Sequence, residues 1–206
     1  MFDANGFNGW ADEYDNEVRT SEENDEYPFA GYNEVLGLIE QLVAGKTGHT
    51  VLDIGFGTAV LTRKLYDKGC KIYGQDFSTS MIEIAQKKMP KAELFCGDMS
   101  DGLVPELCRN KYDSIIATYS IHHLSDDDKI DFIKQLLPLL NENGSIFIGD
   151  VLFKTRAELE ACRSDAGEAW DEDEIYVVVD ELKKRLSNVI FHKITFCSGV
   201  IEIKAY

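Results

Sequence analysis

Short apolar runs alternate with amphipathic stretches along most of this chain. Residues 50–54, 71–76, 92–96, 112–118 and 145–149 are compact apolar segments that read as buried strands. Between them, residues 58–67, 79–88 and 126–140 carry the three-to-four-residue spacing of helices. Ser78 and Ser125 stand where N-caps belong, and Pro138 is expected to end or kink the last of these helices. Strands alternating with helices predict a mostly parallel sheet with helices on both faces. Upstream, residues 29–44 form an amphipathic helix whose stripe is Val35, Leu36, Leu38, Ile39, Leu42 and Val43, with Gly45 as its stop. Residues 8–19 place Trp10, Tyr14 and Val18 on one face of a shorter helix. After Asp150 the pattern loosens until a helix at 174–186. The chain then closes with strands at 189–197 and 200–205 around Ser198-Gly199, a tight connection that forces antiparallel pairing.

The stretch Thr50-Val-Leu-Asp-Ile-Gly-Phe-Gly-Thr is a strand running through a glycine turn into a helix. Gly55 and Gly57 let backbone approach a ligand where a Cβ would collide. Asp53, at the strand's tip, would repel a pyrophosphate and attract an ammonium or sulfonium group. The third glycine of the dinucleotide fingerprint falls on Val60, so the loop suits S-adenosylmethionine (SAM) better than NAD. About 20 residues on, Asp76 ends the second strand, where a carboxylate can accept from two vicinal ribose hydroxyls. As a tip residue beside a cleft it is expected to carry little of the fold. Asp98 and Asp150 end later strands, on the edge of such sheets where ligands bind.

With these motifs in view, the chain resembles the class I SAM-dependent methyltransferases. The resemblance rests on Val51-Leu-Asp-Ile-Gly-Phe-Gly-Thr, Gly74-Gln-Asp-Phe-Ser, Gly97-Asp-Met, Tyr119-Ser-Ile-His-His-Leu and Leu139-Leu-Asn-Glu-Asn-Gly-Ser. They span roughly residues 46–150, and Trp10-Ala-Asp-Glu-Tyr14-Asp is similar to the entry helix of small-molecule members. More narrowly the chain is similar to a group of small bacterial methyltransferases of uncertain substrate. Ala59 departs from the pattern, because many members have glycine there. The resemblance implies a Rossmann-like seven-stranded sheet closed by the C-terminal antiparallel hairpin. It also implies SAM as cofactor, with S-adenosylhomocysteine (SAH) as product. On this reading Asp53, Gly55, Phe56, Gly57 and Thr58 form the cofactor loop. Asp98 takes the adenine amino group beside Met99, Phe77 and Met81 sandwich the base, Tyr119 lines the pocket around the transferable methyl, and Tyr14 closes over the cofactor from the entry helix.

Length and charge narrow the alternatives. The 206 residues suit one domain, with 1–45 as a helical cover, 46–150 as the SAM-binding core and 151–206 as an insertion, helix and hairpin. Five cysteines without paired or metal-type spacing point to reduced thiols, a cytoplasmic protein and no metal site. No apolar run reaches membrane-spanning length. The net charge is −16, with eight acids between Asp12 and Glu26 and eight more between Glu158 and Glu174. The resemblance places both segments beside the active-site mouth, which disfavours nucleic acid as a partner and favours a neutral or cationic small molecule. The aromatics Trp10, Tyr14, Tyr27 and Trp170, with the surrounding like charge, suggest that residues 8–28 and roughly 155–175 form a mobile cover over the site.

The catalytic groups are left open. His122 and His123 are neighbours, so at most one is expected to face the cleft. His122, Asp150, Trp170 and Tyr176 are the candidates for contact with the acceptor. Two readings follow: an enzyme that methylates a small molecule, or a SAM-binding sensor or partner subunit without turnover. Oligomeric state is not encoded in these motifs.

Overall fold

The structure, a computed structural model, describes residues 26–43 and 48–205. The expected helix at 8–19 and the Gly45 stop lie outside the described residues. Helix α1 (Tyr32–Val43) leads into β1 (Thr50–Ile54), α2 (Val60–Asp67), β2 (Lys71–Asp76), α3 (Thr79–Lys88), β3 (Glu93–Cys96) and β4 (Tyr112–Thr118). There follow α4 (Asp126–Leu136), β5 (Leu140–Phe153), α5 (Arg156–Ala166), β6 (Val177–Val178), α6 (Val179–Leu182), β7 (Val189–Lys193) and β8 (Ser198–Lys204). The strands run in the order β3-β2-β1-β4-β5-β8-β7, and β6 pairs with the end of β5. All pairings from β3 to β5 are parallel, while β8 is antiparallel to both β5 and β7. This is the expected Rossmann-like sheet with its terminal hairpin, extended by one two-residue strand.

Alternation along the strands divides the core into two layers. Val51, Ile116 and Phe147 face α1, α2 and α3, whereas Leu52, Ile115 and Ile146 face α4 and α6. The inner strands β1, β2, β4 and β5 therefore bury both faces, which is why these segments read as continuous apolar runs. Gly149 of β5 sets how closely α1 approaches the sheet. A Cβ there would lie 2.6 Å from Val35 Cγ1 and 2.7 Å from Ile39 Cδ1. Ser78 caps α3 by accepting from Met81 N at 3.4 Å, and Ser125 caps α4 by accepting from Asp128 N at 3.2 Å. Pro138 stands in a 3-10 turn, Leu137–Leu139, that ends the α4 segment.

Three expectations are corrected after Gly144. Strand β5 continues past Gly149 to Phe153, because β8 and β6 go on offering it ladder partners through Val151 and Phe153. Asp150 therefore lies inside the strand and not at its tip. The stretch after it, which looked unpatterned, contains α5, capped by Thr155, which accepts from Glu158 N at 3.2 Å. Only Leu159 and Cys162 of α5 are buried, a stripe too thin to stand out among its acids. The helix expected over 174–186 is instead the β6 pairing followed by the four-residue α6.

Candidate functional site

Strands β1, β2 and β4 end around a cavity of about 790 Å³, within the size range of small-molecule sites. Its floor is the turn after β1. Gly55 has φ +68°, and a Cβ on it would lie 2.6 Å from Ser120 Cβ, so only glycine fits. Ser120 in turn donates to Ile54 O at 3.0 Å, tying the end of β4 to the turn. Gly57 has φ +50° with nothing within 4 Å of its would-be Cβ, so backbone faces open space. Ala59 also adopts a left-handed conformation, φ 64°, where a glycine would be relaxed.

Asp76 joins this turn to the next. Its Oδ2 accepts from Gly57 N and its Oδ1 from Ser78 N, both at 2.9 Å. Burial pushes its pKa up, opposed by these two amides. The carboxylate borders the cavity and keeps lone pairs beyond the two amides. Phe56, Thr58, Phe77, Met81, Asp98 and Met99, named above for the cofactor, also line the cavity. Asp98 accepts from Ser100 N at 2.8 Å. Tyr119 lines it too, with φ 48° and its ring 5.0 Å from Tyr32 and 5.5 Å from Phe29.

Asp53 is placed differently from the expectation. It is buried and absent from the cavity wall, and its Oδ2 accepts from the Thr62 hydroxyl, which does reach the wall. Its Oδ1 has no hydrogen-bond partner among the described residues, and burial raises its pKa to about 7. Any effect on a ligand therefore passes through Thr62 or through the field. Tyr14 lies outside the described residues.

The opposite wall carries a chain of hydrogen bonds and one ion pair. His122 Nδ1 lies 2.7 Å from Asp150 Oδ1, and its Nε2 lies 3.4 Å from Glu174 Oε1. Glu174 Oε2 accepts from Tyr176 OH, which also bonds Tyr27 OH. Burial opposes charging of His122, but Asp150 and Glu174 outweigh it and its pKa is raised. His123 is pushed down to about 4 by burial and by His122. Burial raises Glu174, and it raises Tyr27 to about 12.

Both histidines line the cavity, contrary to the expectation that at most one would. They do so because a 3-10 turn, Ile121–His123, carries them at the cavity wall, their rings 4.3 Å apart. Tyr176, a candidate for acceptor contact, lines the cavity. Asp150 does not, since it serves His122 from within β5. Trp170 also does not. Its ring stacks on Tyr27 at 5.1 Å, while its neighbours Ala169 and Asp171 form the wall. That stack joins the two segments expected to form a cover. Sequence reasoning missed Phe29, Tyr32, Thr62 and Glu174. Phe29 and Tyr32, three apart at the start of α1, carried a usable signal; Glu174 was hidden among eight acids.

Comparison with known proteins follows the same lines. The family model of a methyltransferase domain matches residues 51–144. The chain is 31% identical over 209 aligned positions to the uncharacterized methyltransferase YrrT of Halobacillus halophilus, covering 96% of this chain and 95% of that one. It is 32% identical over 193 positions to an uncharacterized methyltransferase of Oceanobacillus iheyensis, covering 90% and 87%. Among solved structures, a complex of DhpI with SAH shares the fold with a TM-score of 0.69 at 18% identity, covering 97% of this chain and 93% of that one. The chain belongs to the class I SAM-dependent methyltransferases and is an enzyme of that family with SAM as its cofactor.

Proposed function

We propose that this enzyme methylates a small molecule held in the same cavity as its cofactor. The observation that carries the reading is the composition of the wall. Glu26, Asp76, Asp98, Asp171, Asp173 and Glu174 border the cavity, and among the described residues no lysine or arginine does. Such a wall disfavours a polyanion, whose binding depends on clustered basic groups, and suits ligands with positive charge.

The residues present fit SAM. Gly57 leaves room at the turn that a Cβ would fill, and Asp76 offers a carboxylate for the ribose hydroxyls. Phe77, Met81, Asp98 and Met99 form the adenine end, and Gly55, Phe56, Thr58 and Tyr119 the methionine end. When bound, the cofactor supplies a methyl group already activated on a sulfonium. The chain's own part is then to hold the acceptor in line, exclude water and accept a proton. Tyr27, stacked on Trp170, and the Phe29–Tyr32–Tyr119 cluster supply the apolar enclosure. Residues 1–45 act on this reading as a cover on a single domain. Five free cysteines fit a reducing cytoplasm, and no helix among the described residues is long and apolar enough to cross a membrane.

Incubation with methyl-labelled SAM and separate pools of small-molecule extract, total RNA and purified protein tests the assignment. Label should enter the small-molecule pool. Label confined to RNA or protein would refute it.

A further inference from the structure

We infer that the methyl acceptor is a small amine, cationic in solution, whose ammonium sits against Glu174 beside the rings of Tyr27 and Tyr176. This deepens the small-molecule reading above and rests on it. The buried chain opposite Asp76 presents one carboxylate to the cavity. Asp150 and Glu174 lie on either side of His122, one ring nitrogen directed at each. Asp150 is 1% exposed, accepts from Val151 N at 2.8 Å as well, and feels the field of the buried Lys129, so its charge is answered within the fold. Glu174 borders the cavity and, beyond the Tyr176 hydroxyl, has only the shared His122 as counter-charge among the described residues. It is the member of the chain that a cation in the cavity can reach.

Aromatic rings surround that place. Tyr176 lies 6.0 Å from Tyr27 and 5.1 Å from Trp170, edge to face in both cases, and both tyrosines line the cavity. Ring faces attract cations most when water is excluded. An anionic acceptor meets six carboxylates, and a neutral alcohol brings no counter-charge to Glu174. An ammonium satisfies both the carboxylate and the rings.

The same geometry assigns the proton. His122 has a carboxylate at each ring nitrogen and, once protonated, no free lone pair, so it positions Glu174 and does not act as the base. Glu174 accepts a proton from the ammonium, leaving a neutral amine. The freed nitrogen lone pair forms the new N–C bond with the methyl carbon, and the S–C bonding pair returns to sulfur. The products are a methylated ammonium and SAH, with the released proton on Glu174.

Calorimetric titration of the SAH-saturated protein with benzylamine, benzyl alcohol and benzoate tests the inference. Benzylamine should bind at least tenfold more tightly than benzyl alcohol, and benzoate should not bind. Glu174→Gln should abolish the preference for the amine while changing SAH affinity less than twofold, which also reports that the variant is folded. His122→Gln should weaken the amine without abolishing the preference. Equal binding of alcohol and amine, absence of amine binding, or an unchanged preference in Glu174→Gln would overturn it. Failure of the wild type to bind SAH would instead overturn the cofactor placement.

Discussion

Replacing Asp76 by alanine separates the hold on the loop that the structure shows from the ribose contact proposed above. In the free protein it accepts from Gly57 N and Ser78 N at 2.9 Å each while 5% exposed. An amide left without its acceptor in a buried place costs about 1–3 kcal/mol. Gly57 opens towards the cavity, where water can take over, and removal of a buried carboxylate recovers part of its desolvation cost. The expected loss of folding stability is therefore about 1–3 kcal/mol, not the negligible change that a bare strand tip would give. Affinity for SAH should fall by a further 1.5–3 kcal/mol, roughly 10- to 150-fold, the range for hydrogen bonds to a charged acceptor. Asp76→Asn keeps one acceptor oxygen for the loop, so it should recover part of the stability and little of the affinity. Urea denaturation and calorimetric titration with SAH measure the two effects independently. Full SAH affinity in a folded Asp76→Ala protein would refute the ribose assignment. Parallel recovery of stability and affinity in Asp76→Asn would mean that the carboxylate acts only by shaping the loop.

Two further expectations concern protonation. Asp53 goes from a pKa of 3.8 to about 7 on burial, so the native state binds more protons between those values. Stability should fall as pH rises through that window, by up to about 4 kcal/mol. Asp53→Asn should flatten the urea-denaturation profile over the same range, and parallel profiles for the two proteins would contradict this. For the histidine pair, NMR titration should find His123 neutral down to about pH 4 and His122 titrating above its ordinary 6.5. The His122 interaction then stabilises the fold fully below pH 6.5 and is lost as pH rises through the raised value; a midpoint below 6.5 would contradict the Asp150–His122–Glu174 chain.

Much of the turn proposed for the cofactor was legible in the sequence as a turn at the strand ends, because its chemistry is local. Gly55, Gly57, Asp76 and Ser78 announce themselves by residue type beside a strand end, and the apolar runs around them fix which edge of the sheet they share. The wall proposed for the acceptor was not legible, because its parts come from distant segments. Glu174 reaches His122 only after α5 and a 3-10 turn have been threaded behind β5, and nothing in its neighbourhood distinguishes it from Glu172 or Asp173. Asp150 misled for a related reason. An acid in an apolar run looks like a strand end unless its partner, 28 residues earlier in the chain, is known. Asp53 likewise reads as a ligand group until Thr62, one helical stretch later, is seen to cover it.

The central claim is that one cavity holds the cofactor's ribose on Asp76 and turns its sulfur towards the wall formed by Tyr119, His122 and Glu174. A crystal structure of the SAH complex tests it most directly. The account predicts both ribose hydroxyls within hydrogen-bonding distance of the Asp76 carboxylate, and the sulfur facing open space in front of Glu174. A ribose bound away from Asp76, or a sulfur pointing away from Glu174 with no room for an acceptor before it, would contradict it.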